Sequence, residues 1–204
     1  MEKQPIAGQC IATNISANEV YIQKHYPNEI FIIDMSQIKH KNKYSKGLVI
    51  PENVKVAESR IPINPTQRAI LRKELRQAEI LAELGNSVYI IPEKHVYKVK
   101  PKDAVVNGEL FEFRTVEGNA ETFQWEFRKA KGKGADTNVY INILSDINKK
   151  EAWHRIWLVL RRHPEYTGKI VISFKNGEKI LFWNTDSFRK KNPCRQATGA
   201  GGKG

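Results

Sequence analysis

The chain is expected to fold as a mixed α/β domain, a central sheet flanked by helices, with the order α-β-β-β-α-β-α-β-β from residue 64 onward. Three observations predict it. Apolar residues recur at helical spacing after Asn64-Pro65 and again after Asn148, and each run opens on a capping signal. Runs of β-branched and aromatic residues lie between and after these helices. Two Asn-Gly pairs, Asn107-Gly108 and Asn176-Gly177, separate strand-like runs as hairpin turns do.

Residues 1–63 read as an N-terminal extension of short strands and loops, loosely structured. Val20–Ile22 and Ile30–Ile33 are β-prone and stand on either side of Pro27-Asn28, a turn signal. His40 to Gly47 is a polar, basic loop.

Residues 64–185 form the expected domain. Asn64 is a cap residue, Pro65 fits the first helical position, and Gln67 stands three residues after the cap. Ile70, Leu71, Leu75, Ala78, Leu81, Ala82 and Leu84 then make the apolar stripe, and Gly85 ends it. Ser87–Ile91 is a strand closed by Pro92. Ala104–Val106 and Leu110–Val116 are strands joined at Asn107-Gly108. Thr122–Lys131 is a helix with Phe123, Phe127 and Ala130 on one face. Thr137–Leu144 is a strand. Asn148 and Glu151 open a helix that runs to about Arg162, and Ile170–Phe174 with Ile180–Trp183 close the domain as a hairpin. The tail 186–204 is basic and ends in Ala197-Thr198-Gly199-Ala200-Gly201-Gly202-Lys203-Gly204, so it is expected to be disordered.

Composition narrows the function. The 204 residues include 34 Lys and Arg against 22 Asp and Glu, a formal charge of +12. That excess favours a polyanionic partner, nucleic acid before membrane. No apolar run has the roughly 20 residues that a bilayer span needs. The first residues carry no apolar signal region, so a cytoplasmic protein is expected. Cys10 and Cys194, near opposite ends, build neither a disulfide framework nor a zinc site.

The residues richest in chemistry run from Lys100 to Arg114. Asp103 stands at the mouth of one strand. Glu112 and Arg114, two apart on the next strand, share a face. A hairpin through Asn107-Gly108 brings that strand beside Asp103. Two carboxylates and a cation then converge, which suits metal-assisted phosphodiester cleavage: Asp103 and Glu112 hold a hard cation, and Arg114 steadies phosphate. From spacing alone, an ordinary amphipathic strand with Phe111 and Phe113 packed inward is the simpler account, since matches of this length are common.

In order and spacing, residues 66–185 resemble the C-terminal tRNase domain of CdiA contact-dependent inhibition toxins, on a PD-(D/E)XK-like nuclease core. The marks are Glu74 four residues before Ala78, Leu81 to Val88, Pro92, Lys102 to Gly108, Glu112-Phe113-Arg114, and Lys129 to Asp136 before the strand Asn138–Ile143. The resemblance implies an endonuclease acting on tRNA, a divalent cation (Mg or Zn), and an immunity protein as partner. It implies Asp103, Glu112, Arg114 and Glu74 as catalytic residues, with Glu74 as an auxiliary ligand or orienter. It also implies export as a toxin, by a route that the chain does not spell out. The chain departs from the family at Arg114, where the pattern has lysine. Arginine keeps its charge but does not deprotonate, so it can clamp phosphate and cannot act as a base.

Lys102, Lys129, Lys131 and Lys133 are expected to contact phosphates. Lysines at a helix end also complement its dipole, and Glu74 also reads as a solvated helix charge paired at helical spacing. Two further functions stand beside the first. One is a nucleic-acid-binding module of the same fold with weakened chemistry, which Arg114 supports. The other is a metal-independent ribonuclease of barnase or EndoU type, with His95 or His154 as acid and base.

Overall fold

The computed structural model describes residues 16–38, 42–93 and 102–177, and the backbone of 181–183. Expectations for His40, His95, Ile180, Cys10, Cys194 and the tail 186–204 fall outside the described residues.

Ser16 and Glu19 form a reciprocal capping box that opens α1, Ala17–His25. Strands β1 (Phe31–Ile32) and β2 (Val54–Ala57) follow, and then α2, Pro65–Glu83. The Asn64 side chain accepts the Gln67 N–H at 2.9 Å, as its cap position demands. Next come β3 (Val88–Ile90), β4 (Ala104–Val106), β5 (Glu109–Val116), α3 (Ala120–Lys131) and β6 (Asn138–Ile143). Helix α4 (Lys149–Arg162), β7 (Ile170–Phe174) and β8 (Leu181–Trp183) complete the chain.

The strands lie in one mixed sheet in their sequence order, β1 to β8. For four of the pairs the connection sets the direction. Asn107 and Gly108 adopt φ 49° and 85°, and this two-residue turn folds β5 back antiparallel on β4. Helical crossovers make the other choice: α2 joins β2 to β3, α3 joins β5 to β6, and α4 joins β6 to β7, all parallel pairs.

Helices cover both faces of the sheet. On one face Leu71, Leu75, Ala78 and Leu81 of α2 pack on Val56, Ile90, Phe111, Phe113 and Tyr140. On the other, Phe123 and Phe127 of α3 and Ile156 and Val159 of α4 pack on Val116, Val139, Ile141 and Ile172. Strands β6 and β7 are buried almost throughout and lack a polar–apolar alternation; their buried polar residues Asn142 and Ser173 are hydrogen-bonded to each other.

Two expectations for the N-terminal region change. Val20–Ile22 is not a strand but the middle of α1, because the Ser16–Glu19 box nucleates a helix that overrides the β-propensity of three residues. Nor do the described residues of 16–63 form a loose extension. β2 is hydrogen-bonded to β3, and Val54, Val56 and Ala57 are buried. Ile32, Ile38, Leu48 and Ile50 join the same core as α2. Asn18 clasps α1 to the β4–β5 hairpin: it donates to the Ser87 carbonyl at 2.8 Å and accepts the Gly108 N–H at 2.6 Å. Gly108 is required twice over, since a Cβ there would stand 2.9 Å from that of Ala17 and would also need the left-handed backbone. Among the described residues, no helix is long and apolar enough to cross a membrane.

Candidate active site

Strand β5 outruns β4. Their pairing covers Glu109–Phe111 only, while β5 continues to Val116 beside β6. The Phe113 N–H, just past the end of β4, is taken instead by the side chain of Asp103, whose Oδ2 accepts it at 2.7 Å. The Asp103 backbone is held as well. Its N–H donates to the Phe111 carbonyl at 3.1 Å, and its carbonyl accepts from Ile91 at 3.1 Å. Asp103 is thus pinned where β3, β4 and β5 fork.

Glu112 and Arg114 lie on the α3 side of β5, on the face that also carries Val116. Glu112 is completely buried. Its carboxylate is ion-paired with the Arg114 guanidinium through one oxygen, and through the other with Lys133 Nζ at 2.6 Å. Lys133 reaches it from the turn that follows α3. Lys102 secures that turn, donating to the Lys133 carbonyl at 2.8 Å and to Thr137 Oγ1 at 2.6 Å. On the far side, Arg114 Nε is 3.9 Å from Glu126 of α3, and Gln77 of α2 donates to the Arg114 carbonyl at 2.7 Å.

Burial pushes the Glu112 carboxyl above its ordinary value, and the negative charge of Asp103 pushes the same way. Lys133 and Arg114 pull it back. Both its oxygens are buried without a well-directed hydrogen bond, although each has a cation beside it. A hard cation would therefore have to displace Arg114 or Lys133 from this carboxylate.

Glu74 approaches from α2, on the other face of the sheet. It is buried and ion-paired with Arg60, which also donates to the Ile91 carbonyl at 3.3 Å. Burial lifts its carboxyl to about 7 against the pull of Arg60, and Asp103 contributes to the rise. Asp103 therefore acts on Glu74 from one side and on Glu112 from the other. The three acids do not form one cage: among the described residues, no group of three His, Cys, Asp or Glu is placed to hold a metal ion. Glu74 is tied to Arg60.

The four lysines separate. Lys102 is buried with its ammonium turned to the Lys133–Thr137 turn, so it braces the site and does not face a phosphate. Lys133 turns inward to Glu112. Lys129 is exposed and paired with Glu126 at 2.8 Å, whereas Lys131 is largely covered and paired with Glu165 at 3.1 Å. His154 is exposed on α4 and stacked on Trp157, with ring centroids 6.2 Å apart. Sequence reasoning missed Arg60 and Glu126, and it missed Lys133 as a partner of Glu112. The signal for Lys133 was the parallel β5–α3–β6 unit, which returns the end of α3 to the start of β5.

Comparison with protein-family models, with curated proteins and with solved structures finds no match to this chain.

Proposed function

We propose that the protein is a nuclease that hydrolyses phosphodiester bonds in RNA, built on a PD-(D/E)XK-like core. The observation that carries this reading is the buried Glu112 carboxylate held between Arg114 and Lys133, beside an Asp103 fixed at the fork of the sheet. The antiparallel β3–β4–β5 unit, followed by α3 and a parallel β6, supports it. The choice of tRNA, and of an immunity protein as partner, rests on the resemblance to CdiA toxin domains.

In this reading Asp103 and Glu112 would hold a divalent cation, Mg or Zn, which would supply Lewis acidity and lower the pKa of a bound water. Lys133 provides the ammonium that the Glu-x-Arg sequence lacks. Its charge favours the ionised form of Glu112 against burial. Arg114 grips a phosphoryl oxygen in a two-pronged contact. Asp103 holds its geometry through the Phe113 N–H, so it meets the substrate already oriented.

The test is cleavage of total RNA and of tRNA with Mg²⁺, with Zn²⁺ and with excess EDTA, by the full chain and by Glu112→Gln and Asp103→Asn. Metal-dependent cleavage that both substitutions reduce by orders of magnitude is expected. Cleavage that persists in EDTA in both variants overturns the reading. The same ion pairs favour a second reading, a nucleic-acid-binding module, because Glu112 already has two cations beside it. RNA binding with no cleavage under any of these conditions selects that module.

A further inference from the structure

Trp125 lies on the exposed side of α3 and is 57% exposed, although most aromatic side chains of this fold are packed inside. Its surroundings are organised. Lys129, one helical turn on, places its ammonium 5.2 Å from the centre of the indole. The same ammonium is 2.8 Å from Glu126, and Glu126 is 3.9 Å from Arg114. The ring is thus joined to the candidate site through Lys129, Glu126 and Arg114. The pair of charges around it also keeps Lys129 in place against the ring.

We infer that Trp125 and Lys129 form a nucleobase-stacking platform beside the scissile phosphate, so that the substrate is unpaired RNA, a single strand or a loop, and not a duplex. The inference rests on the nuclease reading for the position of the phosphate. A planar apolar ring open to solvent offers a face to any base. The Lys129 ammonium over one face of the ring supplies the contact to the adjoining phosphate, in a chain whose charge is +12, and leaves the other face for the base. A base inside a duplex is already stacked on both faces and cannot reach such a ring without being turned out. A neighbouring phosphate held by Arg114 then leaves the next base to lie on Trp125.

The experiment measures binding in EDTA, where the proposed hydrolysis is silent. Single-stranded RNA and an RNA duplex of the same length, each carrying a 2-aminopurine, are titrated into the full chain and into Trp125→Ala and Trp125→Tyr. Trp125→Ala should weaken single-strand affinity by about 5- to 100-fold. It should abolish the 2-aminopurine quenching and change duplex affinity by less than about twofold. Trp125→Tyr should keep most of both signals, which separates loss of a ring from loss of fold. Equal effects on strand and duplex, unchanged single-strand affinity in Trp125→Ala, or no RNA binding by the full chain overturns the inference. Unchanged single-strand affinity would leave Trp125 as a contact for a protein. Stacking by a chain that cleaves nothing would sink the nuclease reading and leave the platform standing.

Discussion

Lys133 Nζ lies 2.6 Å from Oε2 of Glu112, a carboxylate with no exposure to solvent. A residue that sequence spacing assigns to a surface phosphate contact is instead the counter-ion of the most deeply buried acid in the site. The pair crosses from the end of α3 to the middle of β5. It exists only because β5, α3 and β6 form a parallel crossover.

Lys133→Met should therefore cost more than a surface lysine does. It leaves Glu112 buried with Arg114 alone, and stability should fall by up to about 3 kcal/mol. Adding Glu112→Gln should recover most of the loss, because the uncompensated charge goes with it. Urea denaturation of the two single variants and the double variant checks this. Additive losses would show that the pair is not coupled.

Asp103 carries two roles that two substitutions divide. Asp103→Asn keeps an oxygen for the Phe113 N–H and removes the charge. It should cut cleavage by orders of magnitude and leave the melting temperature nearly unchanged. Asp103→Ala also orphans that N–H and should cost a further 1–2 kcal/mol or so. Thermal melts beside a cleavage assay distinguish them, and equal melting temperatures for the two variants would count against the hydrogen bond.

Stability should decline from acid to neutral pH through Glu74. Its carboxyl is lifted to about 7 from an ordinary 4.5, so the folded state binds the proton more tightly than the unfolded chain. What the group contributes is complete below pH 4.5 and is lost as the pH rises through about 7. Glu112 is raised as well and acts with the same sign. Melting curves from pH 4.5 to 8 should show a steeper fall for the natural chain than for Glu74→Gln. Parallel profiles would reject the assignment.

Deletion of residues 1–61 should abolish cooperative folding. It strips β2 from β3, uncovers the core around Val56, and takes Arg60 from the buried Glu74. Thermal denaturation and the dispersion of amide resonances report the outcome. A fragment from residue 62 that melts cooperatively would restore the view of the N-terminal region as an accessory.

RNA affinity should depend on salt through Lys129 and Lys131. Lys129→Ala with Lys131→Ala should reduce the slope of log affinity against log salt by about one to two units for a single strand. An unchanged slope would place the phosphate path elsewhere on the surface.

The mixed sheet flanked by helices was legible because its punctuation is local. Asn64-Pro65 and Asn148 open helices with bonds made within three residues, and Asn107-Gly108 turns a hairpin through its own backbone angles. Asp103 beside Glu112 and Arg114 was legible for the same reason, since one hairpin joins them. The parallel pairing of β2 with β3 was not, because α2 separates the two strands in sequence and neither strand is long. Lys133 and Arg60 were hidden likewise: each meets its carboxylate through tertiary packing, and nothing around them in sequence names the partner.

The bond between Asp103 and the Phe113 N–H has an evolutionary consequence. An acid that only held a cation would be free to drift once hydrolysis ceased to be needed. Asp103 also closes the seam where β5 leaves β4, so selection for a folded chain alone would retain an aspartate or asparagine there. Glu112, a buried charge that needs two cations to offset its desolvation, would be the first to go. If the proposed hydrolysis were lost in a descendant, Glu112 and Lys133 should change together, while an aspartate or asparagine persists at Asp103.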